Sequence, residues 1–247
     1  MDLSLRTADG LSLRARWWSA LPDRQDTAVV LVHGFTSSVE DPGLVSLAEA
    51  LSAEGHDVLA FTARGHHGSD GLCTLGDRER LDVAAAVSQA RTRASRVVVL
   101  GASMGAIAAL RYAATDRSLA GVVSVSAPAR WRLPWRPPAM LGALLSRTYL
   151  GRSLAARFLR VRIHPRWDSP PPPADVARAI TVPTAVVHGM ADRVVAVVEA
   201  SLLAASAAGR SSLDLVPGMG HAFDPRGIPA LSRAVAWVLG LNPQPAV

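Results

Sequence analysis

The stretch VVVLGASMGAIAAL, residues 97–110, decides how this chain is read. Val97–Val99 and Leu100 form a β-branched, apolar run of the kind that favours a buried strand. From Gly105 onward the composition turns to alanine and leucine, which favours helix. Between the two lies Gly101-Ala102-Ser103-Met104-Gly105, a tight turn with a hydroxyl at its tip. A G-x-S-x-G turn forces strained dihedrals on its serine, and its glycines let strand and helix approach without Cβ clashes. The following helix aims free N–H groups and partial positive charge at the same spot, which suits an oxyanion. A plain glycine–serine turn is the competing reading; the flanking strand and helix patterns argue against it.

Outward from this stretch, apolar runs alternate with amphipathic ones. Strands are predicted at 11–19, 27–34, 56–62, 96–101, 119–128, 184–189 and 211–218, and helices at 44–55, 77–93, 105–115, 196–209 and 228–240. In the helix over 77–93 acids come early and arginines late, as its dipole favours. Strands separated by helical crossovers imply an α/β fold with a mostly parallel sheet and helices on both faces. Residues 129–178 break the alternation with three tryptophans, many arginines and the run Pro170–Pro173, and read as an insertion with short helices. No internal repeat is present.

The 247 residues fit a single α/β domain, and 49% hydrophobic content supports a sizeable core. All 26 basic residues are arginine, and the net charge is +6. The excess is local: residues 128–178 hold ten arginines against Asp168 and Asp175, while the remainder is slightly acidic. Such a patch suits an anionic ligand or an acidic partner, or is a solvated helical surface. No helix-turn-helix, zinc-finger or RNA-binding signature points to nucleic acid. Ser103 and its glycines interrupt the longest apolar run below membrane-span length. The N-terminal stretch MDLSLRTADG lacks the apolar core of a secretory signal. One cysteine, Cys73, excludes an internal disulfide framework. The expectation is a cytoplasmic protein without a membrane span.

A serine hydroxyl needs a base, and the base an orienting acid. In open parallel sheets both belong at the carboxyl ends of later strands. The strand 184–189 runs into HGMADRVV, which offers Asp192; the strand 211–218 runs into PGMGHAF, which offers His221. The order Ser, Asp, His is the one such an elbow architecture uses. His33 and His188 end strands before glycine and read as structural. His66 and His67 sit in a loop expected to border the pocket, and His56 and His164 have no supporting context. Asp224 reads as a turn or cap residue, and Asp214 alternates within a strand. Cys73 is remote from every motif.

Five pieces in order, HGFTSS (33–38), RGHHGSDG (64–71), GASMG (101–105), HGMADRVV (188–195) and GMGHAF (218–223), make the chain resemble the α/β-hydrolase superfamily over nearly its whole length. It looks most like small carboxylesterases and lipase-like enzymes of the serine-aminopeptidase branch. The resemblance implies an eight-stranded α/β-hydrolase sheet, a core of residues 1–128 and 179–247, and a helical cap over 129–178. It departs from the pattern at Thr62, where an acidic residue is common, at His67, where glycine is usual, and at Ala102, where many relatives have histidine.

Ser103 is then expected to attack an acyl carbonyl, His221 to relay the proton and Asp192 to orient the imidazole. Met104, the residue after the nucleophile, offers one oxyanion N–H; by the resemblance, Phe35 offers the other. For the substrate side we expect His67 from the loop and Trp131, Trp135, Met140 and Leu144 from the insertion. The competing reading is that these tryptophans, with Trp167, anchor the insertion, and that Met140, Leu141, Leu144 and Leu145 are a buried helix face. The chemistry needs no cofactor and no metal. The leading expectation is hydrolysis of an ester or thioester of a small, fairly apolar acyl substrate. The alternatives are acyl transfer, thioester cleavage on an acidic carrier protein, carboxylate elimination, or ligand binding with residual turnover.

Overall fold

A computed structural model describes residues 1–20, 25–131, 148–166 and 168–241. Its centre is one eight-stranded sheet in the order β1-β2-β4-β3-β5-β6-β7-β8. The strands are β1 (Asp2–Arg6), β2 (Ser12–Trp18), β3 (Thr27–Val32), β4 (Asp57–Phe61), β5 (Arg96–Ala102), β6 (Gly121–Val125), β7 (Thr184–Gly189) and β8 (Ser211–Val216). β1 and β2 are antiparallel, and β2 joins β4 antiparallel; every pairing from β4 to β8 is parallel. The α/β-hydrolase sheet expected from the sequence is therefore present. The strand not picked out there is β1, whose Leu3 and Leu5 alternate with Asp2, Ser4 and Arg6 over only five residues.

The continuous apolar strands are explained by burial on both faces. Along β3, Ala28, Val30 and Val32 join one core cluster, and Val29 and Leu31 join the other. Helices α2 (Glu79–Ala90) and α3 (Met104–Ala113) cover the first face. Helices α1 (Pro42–Ala53) and, near the C-terminus, Ile228–Val238 cover the second. Observed ends differ from the sequence-based ranges by a few residues, where helices fray and strands give way to turns.

The acids of α2 have a more specific use than dipole complementarity. Glu79 and Asp82 are both fully buried. Glu79 accepts from the backbone N–H groups of Thr74 and Gly76. Asp82 accepts from the Arg64 side chain and from its backbone N–H at 2.9 Å. Arg64 reaches on to Asp9 at 2.8 Å, tying the first hairpin to the 64–71 loop. A buried guanidinium with two carboxylates keeps its hydrogen bonds filled, and this pairing outweighs burial and holds Arg64 charged.

Between β6 and β7 the described chain forms α4 (Tyr149–Leu154), a single π-helical turn (Ala155–Leu159) and α5 (Pro173–Ala177). Residues 160–164 run along the 65–73 loop through bridges His66–Val161 and Cys73–Ile163. Ala174, Ala177 and Ile180 are already back in the main core. Trp135, Met140, Leu141, Leu144, Leu145 and Trp167 lie outside the described residues. The helix after β7 is α6 (Val197–Ser206), and α7 (Ile228–Val238) closes the chain. Among the described residues no helix is long and apolar enough to cross a membrane.

Candidate active site

β5 ends at Ala102 and α3 begins at Met104, so the turn between them is the single residue Ser103. Its φ of 53° and ψ of −115° are strained for a residue with a Cβ. Close packing enforces this shape. A Cβ on Gly101 would meet the Gly105 carbonyl oxygen at 2.4 Å, and one on Gly105 would meet the Val32 oxygen at 2.3 Å. The Ser103 N–H donates to Val125 O at 2.8 Å, which ties the turn to the end of β6.

Asp192 follows β7 in a turn closed by its N–H donating to Gly189 O. It is 6% exposed, and its Oδ1 accepts from the N–H groups of Val194 and Val195 at 2.7 and 2.9 Å. Its Oδ2 faces His221 Nδ1 at 2.7 Å. Burial alone would raise the Asp192 pKa; the His221 bond and the two N–H donors outweigh it and hold the carboxyl below its ordinary value. His221 lies on the loop after β8. That loop packs so tightly on β7 that a Cβ on Gly189 would meet the Gly220 oxygen at 2.2 Å.

Ser103 and His221 open into one cavity of about 690 Å³, with Gly34, Phe35, Val194 and Phe223 among its walls. With Nδ1 committed to Asp192, Nε2 is the imidazole nitrogen left for the hydroxyl. No hydrogen bond joins Ser103 to His221 among the described residues; such contacts tighten when substrate is bound. Phe35 lines the cavity, and Met104 is the first residue of α3, where an N–H has no partner within the helix. Neither backbone N–H donates a hydrogen bond among the described residues.

Of the other candidates, Asp224 lines the cavity and His188 touches Asp192, its Nε2 3.5 Å from Oδ2; the rest fall elsewhere. His33 is fully buried, with Nδ1 2.7 Å from Gly34 O and Nε2 accepting from Ala63 N–H at 2.9 Å. It shapes the turn that carries Phe35, and burial pushes its pKa down to about 3. His66 stands edge-on to both His33 and Phe35, and burial lowers it to about 4. His188 is buried, its Nε2 3.2 Å from Val195 O, beneath the Asp192 turn. His67 is not among the cavity-lining residues; its Nε2 lies 3.2 Å from Thr36 O, and Thr36 does line it. The His67 φ of 38° explains why glycine is usual there. Trp131 donates from Nε1 to Pro170 O and is likewise absent from the walls. At the position where an acid is common, Thr62 accepts from Val39 N–H. Ala102 is buried beside Ser103. Asp224 serves its turn, accepting from Gly220 and Arg226 N–H groups, and also lines the cavity.

Sequence reasoning missed the wall supplied by the N-terminus of α1. Thr36, Ser37 and Asp41 line the cavity there. Asp41 caps α1 through the N–H groups of Gly43 and Leu44, and that capping signature, an Asp followed by proline, was legible.

The sheet order, the elbow after β5 and the acid and imidazole after β7 and β8 define an α/β hydrolase. The model of the alpha/beta hydrolase family matches residues 29–238, and the chain belongs to that family. Its fold is similar to that of the Pyrococcus furiosus esterase Pf2001, at 24% identity, TM-score 0.72, and coverage of 97% of this chain and 91% of that one. It is also similar to Est1E from Butyrivibrio proteoclasticus, solved with ferulic acid, at 20% identity, TM-score 0.68 and 96% of both chains. A third is XC6422 from Xanthomonas campestris, described as a serine hydrolase without a lid, at 21% identity, TM-score 0.66, and 99% and 96% coverage. At these identities the likeness establishes the fold. No curated protein matches the sequence.

Proposed function

We propose that the protein is a serine hydrolase that cleaves an ester or thioester of a small, fairly apolar acyl substrate. One observation carries the reading: Ser103 and His221 line the same cavity, and His221 is bonded to the buried, ionised Asp192. One of the solved structures similar in fold, Pf2001, is an esterase, which is consistent with this. In the proposed reaction His221 Nε2 takes the proton of Ser103 Oγ as the oxygen attacks the acyl carbonyl. The imidazolium that forms is stabilised by Asp192. The carbonyl oxygen, now anionic, accepts from the backbone N–H groups of Phe35 and Met104, each of which contributes about 10²–10³ in rate in such sites. Collapse expels the alcohol or thiol, protonated by His221, and leaves an acyl group on Ser103. Water, deprotonated by His221, then releases the acid.

In the same proposal residues 129–178 act as a cap over the acyl chain. The protein is proposed to work in the cytoplasm. The arginine excess of residues 128–178 favours a second reading, thioester cleavage on an acidic carrier protein or anionic substrate, with the same three residues.

A chain-length series of p-nitrophenyl esters tests the first reading. The wild type should turn over the short and medium chains, and Ser103→Ala should lose roughly 10⁴–10⁶ in rate. Equal turnover by wild type and Ser103→Ala would end the proposal. Activity confined to a carrier-bound thioester would move it to the second reading.

A further inference from the structure

The carboxyl end of β6 touches all three elements of the proposed site. Val125 O accepts from the Ser103 N–H at 2.8 Å. The next residue, Ser126, donates its own N–H to Val187 O on β7, at 3.1 Å, five residues before Asp192. Its Oγ accepts from the Ala222 N–H at 3.2 Å, directly after His221. Ser126 is fully buried, so water does not compete for that oxygen. Both partners of this last bond are in the left-handed region, Ser126 at φ 51° and Ala222 at φ 59°. Neither is glycine, so each conformation costs free energy and persists only where neighbouring contacts hold it. Turning left-handed at Ser126 is what aims its hydroxyl across the sheet edge at the histidine loop. On the other side of His221, the Gly220 N–H is held by Asp224 at 2.8 Å. Of the two bonds that bracket His221, only the Ser126 one comes from outside the loop.

We propose that Ser126 is a positioning residue: its buried hydroxyl fixes the histidine loop relative to the nucleophile turn, so that His221 meets Ser103 and Asp192 together. The inference rests on the hydrolase reading above. It assigns a role to a residue that no motif marks, since SVSAP at 124–128 resembles any strand end. A small displacement of a proton-transfer partner lowers the rate far more than it weakens substrate binding.

The test uses Ser126→Ala and Ser126→Gly in the full chain. Glycine relieves the left-handed strain and removes the hydroxyl; alanine removes the hydroxyl alone. If the hydroxyl positions His221, both variants lose kcat on the best p-nitrophenyl ester about tenfold, the rate equivalent of one neutral hydrogen bond. KM stays within a factor of about two. The downfield proton resonance of the His221 Nδ1–H bonded to Asp192 broadens in both. A merely conformational role predicts that Ser126→Gly matches the wild type in kcat and in that resonance, and this result overturns the proposal. Should the wild type hydrolyse no ester and resist a fluorophosphonate, the hydrolase reading fails separately. The resonance still decides whether Ser126 holds the loop.

Discussion

Two turns deliver the proposed nucleophile and the proposed base, and they differ in where their own glycines are crowded. The 101–105 turn is set by backbone packing: its glycines sit where a Cβ would be 2.3–2.4 Å from a carbonyl oxygen. The 218–225 loop packs through its carbonyl oxygens, Gly220 O lying 2.2 Å from where a Cβ on Gly189 would sit, but its own glycines are less crowded, and it is tied by side-chain hydrogen bonds to Asp224, Ser126 and Asp192. Packing gives the nucleophile one position. Packing and hydrogen bonds together hold the loop that carries the imidazole. In the proposed reaction the serine oxygen attacks from one place while the histidine serves hydroxyl, leaving group and water in turn.

The largest effect that probes this contrast is on the hydrogen-bonded side. Asp192→Asn keeps an oxygen for Val194 and Val195 but presents an amide to His221 Nδ1. The imidazole then carries its proton on Nε2, facing Ser103, where it has no capacity to act as base. A loss of roughly 10⁴ in kcat is expected with little change in melting temperature. A loss under tenfold would show that Asp192 does not orient the base.

On the packed side the effect is on folding. Gly105→Ala drives a Cβ into the carbonyl oxygens of Val32 and His33. Neither belongs to a flexible side chain, so the cost is about 3 kcal/mol, read as a lower denaturant midpoint or loss of soluble protein. Gly220→Ala, in the histidine loop, meets only the Asp224 carboxylate at 2.8 Å, a side-chain end that can shift at some expense to its bonds with the Gly220 and Arg226 N–H groups. Its stability cost should stay within about 1 kcal/mol. Equal costs at the two glycines would erase the contrast.

Between these in size lies a pH effect at the Phe35 turn. His33 and His66 are buried neutral, their pKa values lowered to about 3 and about 4. The unfolded chain takes up protons near pH 6.5 that the folded one refuses. Their contribution to stability is therefore complete above pH 6.5 and is lost as pH falls towards 4. Each contributes a slope of up to about 1.4 kcal/mol per pH unit. Urea titrations at pH 7, 6 and 5 should give a shallower slope for His66→Asn than for the wild type, by about one histidine's share.

Much of this molecule was legible because the signals were local. The β3 and β5 runs read as buried strands since both faces of the sheet are covered. The 101–105 turn reads from its glycines, and Asp192 and His221 from their places after late strands. β1 was overlooked because five alternating residues make a weak pattern. The acids of α2 read as dipole partners, since nothing in the local sequence links Asp82 to Arg64.

The sequence by itself determined which residue types stand at the ends of which strands, and hence the family. It did so because strand, turn and helix preferences act over a few neighbouring residues. Only the tertiary structure decided that the end of β6 joins the nucleophile turn to the histidine loop and that the start of α1 walls the cavity. Those relations depend on contacts between segments far apart in the chain, such as the Ser126–Ala222 bond across 96 residues. Burial, which sets whether a hydroxyl or an imidazole is structural or chemical, exists only once the chain has closed on itself.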